Sequence, residues 1–229
     1  MTKLKIQFNT ALKSEYAYSL YAALLESLPR DIAEKIHREN LLSHYTKASF
    51  WHVSLFDDSA LPYIESKLEY PLRKHNVTLN VVNINRITFG EKEFCTKFLL
   101  NDEVKNSVTL KFQTPTAFKV NGEYANIPTP HLIMQSLLNK WNKIMPQSSL
   151  EEADILRELE SSVSLKKYEL KSVLYAVKNV KIPAFVGEVT LNLNGNEPFI
   201  RILNMLLAFG EFSGIGIKAS LGMGGVEII

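Results

Sequence analysis

The stretch Phe209–Gly225, FGEFSGIGIKASLGMGG, carries six of the chain's ten glycines, close to its last residue, Ile229. Glycine lacks Cβ, so a run of this kind lets the main chain take positive φ, approach another molecule closely and present N–H groups to an anion such as phosphate. Two nucleotide motifs are excluded by context. Gly214-x-Gly216-x-x-Ala219 fits the loose dinucleotide fingerprint, but that motif opens a helix of a βαβ unit and needs an acidic residue about 20 positions further on, and the chain ends first. No Gly-x-x-x-x-Gly-Lys-Ser/Thr string occurs either. A tight turn between two strands is the plainer alternative, and the glycines alone do not separate it from a phosphate site.

The chain around this stretch has 229 residues, 46% of them hydrophobic, enough to bury a real core in one large or two small domains. The opening MTKLKIQFNT has no apolar h-region, and no apolar run reaches the roughly 18 residues of a membrane span. A soluble, cytoplasmic protein is expected. The lone Cys95 has no disulfide partner and reads as a small buried hydrophobe. His37, His44 and Cys95 lack the spacing of a zinc site, so no metal and no cofactor is expected.

A net charge of +2 is too small to signal nucleic-acid binding by itself. Its distribution says more. Five lysines, Lys166, Lys167, Lys171, Lys178 and Lys181, stand with one acid, Glu169, in a segment whose alternation predicts two strands connected near Asn179. Such a pair can present ammonium groups to a polyanion or form a solvated sheet face. The acidic run 151–160 is expected on a helix over 149–162, opened by a capping box at Ser149-x-x-Glu152.

Along the chain, strands are predicted at 3–9, 49–56 and 78–89, with helices at 15–28, 30–39 and 59–69. A second series follows: a strand at 107–113, helices at 129–145 and 149–162, strands near 167–178 and 184–193, a helix at 198–210, the glycines, and a last strand at 223–229. The pattern is α+β and suggests two successive split-βαβ units, 1–104 and 105–229.

Gly214-Ile215-Gly216, five residues, then Gly222-Met223-Gly224 repeats a Gly-hydrophobic-Gly signature. With FQTPTAFKVNGEYANIPTPHLIMQSLLNKWN at 112–142, IPAFVGEV at 182–189, IAEKIHREN at 32–40 and YTKASFWHVSLF at 45–56, the chain resembles the CRISPR-associated endoribonucleases that cut precursor CRISPR RNA within its repeats. The resemblance implies two tandem ferredoxin-like (RRM-like) domains with a glycine-rich loop before the last strand. It also implies metal-independent cleavage in which a ribose 2′-OH attacks, leaving a 2′,3′-cyclic phosphate and a 5′-OH. That chemistry needs a base, an acid and positive charge on the transition state, and imidazole suits both proton transfers.

By the same resemblance the catalytic histidine ends the second helix, where His37 stands, followed by a lysine, Lys47, with a tyrosine, Tyr21, on the first helix. His44, in the expected intervening loop, is the rival to His37. The RNA-binding set is Lys166, Lys167, Lys171, Lys178, Lys181, Gly214, Gly216, Lys218, Gly222 and Gly224. The implied partner is CRISPR repeat RNA, with proteins of a CRISPR effector complex as further partners, no membrane, and a monomer or homodimer. Two other classes stay open: a non-catalytic RNA-binding subunit of an effector complex, and a structural assembly protein without RNA contact.

Overall fold

The computed structural model describes residues 1–100, 103–150, 154–177 and 180–229. They form two units, Met1–Thr88 with Lys218–Met223, and Phe89–Ile217 with Gly224–Ile229.

In the first unit, strand β1 (Thr2–Phe8) buries Leu4, Ile6 and Phe8 on one face and turns Lys3, Lys5 and Gln7 to the other. Helix α1 (Tyr16–Ser27) stops at Leu28, before Pro29, which cannot continue it. Helix α2 (Arg30–Glu39) starts directly after that proline and ends on Asn40, whose left-handed φ of 51° closes the last turn. Strands β2 (Leu42–Lys47) and β3 (Phe50–Leu55) form a hairpin. Helix α3 (Leu61–Glu65) and strands β4 (Glu69–Leu72) and β5 (Val77–Thr88) complete the unit. The sheet order is β2-β3-β1-β5-β4, with antiparallel pairing throughout.

Two local expectations are corrected here. The region around His44 is a strand, not a loop: Ser43, His44 and Thr46 are polar, so the run lacks hydrophobic alternation, yet the positions from Leu42 to Thr46 are all buried. The helix expected over 59–69 is a 3₁₀ turn at Asp58–Ala60 and the five-residue α3, after which the chain extends into β4.

The second unit opens with α4 (Glu91–Leu99), an element the sequence pattern does not announce; Glu93 accepts from the Gly90 N–H at its start, and Phe94 is buried beneath it. Strand β6 (Ser107–Thr116) alternates buried and half-exposed residues. A small hairpin follows, β7 (Phe118–Val120) and β8 (Glu123–Ala125), joined through Asn121 and Gly122 at φ 50° and 88°. Helix α5 (Pro130–Ile144) is capped by Thr129 Oγ1, which accepts from the Leu132 N–H at 3.2 Å. Helix α6 (Ile155–Ser161) is shorter than the expected 149–162; Glu151 and Glu152 of the expected capping box lie outside the described residues. Strands β9 (Val163–Val177) and β10 (Val180–Leu193), helix α7 (Glu197–Ser213) and strand β11 (Val226–Ile228) finish the chain.

The second sheet runs β11-β6-β10-β9. Numbered within each unit, the main strands of both sheets stand in the order 4-1-3-2 with β-α-β-β-α-β connectivity, the split-βαβ or ferredoxin-like arrangement. No helix among the described residues is long and apolar enough to cross a membrane.

Candidate active site

In the first unit, α1 packs Leu20, Tyr21 and Leu24 into the core. Tyr21 is 4% exposed, and its hydroxyl lies 3.1 Å from Nδ1 of His37. Burial, and secondarily the nearby Tyr18, push the Tyr21 phenol above its ordinary value, so the hydroxyl keeps its proton at neutral pH. On α2, Ile36 is buried and anchors the last turn, while its neighbour His37 is exposed. With Nδ1 engaged by Tyr21, Nε2 is the ring nitrogen available to a bound molecule.

His44 is the opposite case. It is 2% exposed on β2, its ring lies nearly parallel to that of Tyr21 at 5.9 Å and 13°, and its Nδ1 accepts the indole N–H of buried Trp51 at 3.1 Å. The proton of the neutral ring therefore sits on Nε2. Burial pulls His44 down to about 4, against a smaller opposite pull from the Ser220 backbone. That backbone is close enough to bias the ring, but Nε2 forms no hydrogen bond of good geometry.

Ser220 belongs to the glycine-rich segment. Lys218–Met223 pack with the first unit; Leu221 sits against its core, and a 3₁₀ turn at Ala219–Leu221 is bracketed by Lys218 at φ 54° and Gly222 at φ 92°. The glycines on either side stay in the second unit, and two of them explain the bare backbone. A Cβ on Gly216 would collide with the Ala117 carbonyl, and one on Gly224 with the Ile215 carbonyl. Their N–H groups are already used: Gly216 donates to Ser136 Oγ at 2.8 Å and Gly224 to the Pro115 carbonyl at 3.1 Å. Gly214 and Gly222 likewise donate to Gly210 and Ala219 carbonyls. All four glycines are buried, and of the candidates in this stretch only Lys218 is exposed.

The structure thus brings Tyr21, His37 and His44 together. Lys47, exposed at the end of β2, shares strand parity with Tyr45, so the pleat sets it on the sheet face opposite His44. Trp51 and Ser220, which frame His44, are site residues that sequence reasoning misses; the tryptophan reads as an ordinary core residue and the serine as turn filler. The other histidines have local roles: His75 Nε2 is 3.0 Å from Ser19 Oγ, His52 stacks on Tyr45, and His131 lies 3.0 Å from Glu160.

On the second sheet, Lys166, Lys167 and Lys171 are exposed along β9 and Lys181 along β10; Lys178 lies outside the described residues. Lys166 falls at a register shift between the two strands. Lys167 and Lys171 alternate with Glu169, which pairs across the strands with Glu188, itself bonded to Lys111 at 2.7 Å. The lysines therefore share their face with acids.

Residues 110–226 match the family described as CRISPR-associated endoribonuclease Cas6. The Cas6 of Mycobacterium tuberculosis is 31% identical over 224 residues, covering 91% of this chain and 70% of that protein. The Cas6 of Streptococcus thermophilus is 28% identical over 225 residues, covering 93% and 91%. Among solved structures, a Cas6 (TTHB231) product complex superposes with a TM-score of 0.80 at 22% identity over all of this chain and 99% of that one. The Thermus thermophilus Cas6 (TTHB231) does so with 0.75 at 21%, covering 100% and 97%. At these identities the structural likeness concerns the fold.

Proposed function

The chain belongs to the CRISPR-associated endoribonuclease Cas6 family, and on that premise we propose that it cuts precursor CRISPR RNA within its repeats, with His37 moving the protons. In this reading a ribose 2′-oxygen attacks the adjacent phosphorus as its proton passes to a base. The bond from phosphorus to the 5′-oxygen breaks, and that oxygen takes a proton from an acid. The products are a 2′,3′-cyclic phosphate and a 5′-hydroxyl. The nucleophile comes from the substrate, so the proposed reaction has no step assigned to a metal.

The observation that carries the assignment is the hydrogen bond between Tyr21 and His37 Nδ1, made by an exposed imidazole on a buried hydroxyl. It holds the ring and leaves Nε2 to the RNA, as a proton-transfer group requires. Tyr21 acts through His37 as a positioning residue. His44, buried and neutral, supports the Tyr21 ring from beneath and is not itself the proton shuttle. Lys47, on the other sheet face at the exposed end of β2, is assigned a lesser and longer-range role, its charge favouring the phosphorane-like transition state. The lysines of β9 and β10 and Lys218 are assigned to the RNA backbone, and the buried glycines to the course of the loop that delivers Ser220 and Leu221.

Incubating the protein with repeat RNA in EDTA tests this reading. Cleavage to a 2′,3′-cyclic phosphate is expected, and a 2′-deoxy residue just upstream of the scissile phosphate should permit binding but prevent cutting. Efficient cleavage of the deoxy substrate would mean that water is the nucleophile; a shift without cleavage of the unmodified RNA would make the protein a binding subunit.

A further inference from the structure

Wholly within the second unit, a cleft of about 210 Å³ is lined by Lys119, Gln135, Ser136, Asn139, Lys140 and Gly216, among others. Lys140, on α5, is its unusual member. Its Nζ donates to the carbonyls of Ser213 at 3.2 Å and Gly214 at 2.8 Å, at the negative C-terminal end of α7. An ammonium carries three N–H bonds, and these carbonyls take two. Among the described residues no carboxylate lines the cleft and no ion pair includes Lys140. Burial without a counter-charge pulls Lys140 down to about 7.

The other polar lining groups also offer hydrogens. Ser136 Oγ accepts from the Gly216 N–H, which leaves its own O–H to donate. The amides of Gln135 and Asn139 and the exposed ammonium of Lys119 stand around the opening. Among the described residues, donors thus line a cleft that holds the Lys119 ammonium, the amine of Lys140 and no acid, and a bound anion would favour the protonated form of Lys140, which suits a phosphodiester oxygen.

We propose that this cleft binds one phosphate of the RNA backbone, with Lys140 and Ser136 at its base and Lys119 and Asn139 at its mouth. The proposal rests on the endoribonuclease reading and adds a contact separate from the reacting atoms. The Gly216 turn then shapes the cleft without donating to the phosphate.

The test uses the full-length protein and a synthetic repeat RNA blocked by a 2′-deoxy residue at the scissile position, titrated by filter binding at several salt concentrations. Asn139→Asp and Lys119→Glu alter exposed side chains; Asn194→Asp makes the first charge change at an exposed position outside the cleft. The two cleft variants should bind about tenfold more weakly, and Lys119→Glu should flatten the slope of log K against log salt by about 0.7–0.9, one phosphate's worth. Asn194→Asp should bind like the wild type and keep its single-turnover rate at saturating enzyme, and all three should keep the wild-type melting temperature. Wild-type affinity and slope in both cleft variants would overturn the cleft while leaving the nuclease reading intact. An equal loss in Asn194→Asp would also overturn it, as general charge repulsion. Failure of the wild type to bind or cut unmodified repeat RNA would instead remove the reading on which the proposal stands.

Discussion

The indole N–H of Trp51 donates to Nδ1 of His44 at 3.1 Å, with the two rings edge to face at 5.8 Å. This contact fixes the tautomer of His44 with its proton on Nε2 and favours the neutral ring, and burial to 2% exposure, which His37 does not share, keeps that ring from an RNA. His44 has a folded value of about 4 against 6.5 for an ordinary histidine, so the unfolded chain binds the extra proton first. The resulting stability is complete above pH 6.5 and is lost as pH falls toward 4, by about 3 kcal/mol in all. Denaturant unfolding between pH 7 and pH 4 should show that component in the wild type and lack it in His44→Phe. Parallel pH dependence in the two proteins would mean that His44 is not buried neutral.

Tyr21 can be dissected in two steps. Tyr21→Phe keeps the ring stacked on His44 and removes only the hydroxyl on His37, so the cleavage rate should fall by about tenfold, roughly 1.4 kcal/mol, with little change in stability or RNA affinity. Tyr21→Ala should also lose about 3–5 kcal/mol of stability as an aromatic core truncation. A Tyr21→Phe enzyme cutting at the wild-type rate would release His37 from this dependence.

The glycine-rich segment predicts sensitivity in the fold before any effect on RNA. Gly216→Ala and Gly224→Ala would each place a methyl against a backbone carbonyl at φ 86° and 72°, and should cost about 1–3 kcal/mol or more. Gly90, with open space where its Cβ would stand, is the control, and Gly90→Ala should lie within about 1 kcal/mol of the wild type. Thermal unfolding of the three variants measures this, and neutral behaviour at Gly216 and Gly224 would reduce the loop to a permissive turn.

Lys167 and Lys171 share β9 with Glu169, which faces Glu188 across the strands. If both ammonium groups touch phosphates, Lys167→Ala with Lys171→Ala should flatten the salt slope of RNA binding by about 1.4–1.8. An unchanged slope would assign this face to solvent, its lysines balancing its own acids.

The architecture was largely legible because apolar residues recur with period two in β1 and β6 and with helical spacing in α1 and α5. β2 was not: Ser43, His44 and Thr46 are polar letters in a buried strand, and tertiary packing rather than periodicity decides such a segment. α4 is not legible in the sequence because its anchor, Phe94, stands among charges and gains its partners Trp141 and Phe212 from distant parts of the chain. At the site, His37 and Tyr21 stand out only through the family resemblance, since nothing in local spacing says that α1 and α2 bring their side chains to 3.1 Å. The glycines were visible at once, but their partners were not. Close approach to the Ala117 and Ile215 carbonyls, and the delivery of Ser220 beside His44, are long-range facts that a local motif cannot carry.

The central claim is that His37 moves the protons, and single-turnover cleavage at saturating enzyme tests it with chemistry separated from binding. His37→Ala should slow the reaction by about 10²–10⁴-fold while RNA affinity changes little, and Lys47→Ala should lose less. A His37→Ala enzyme that cuts repeat RNA at the wild-type rate would contradict the account.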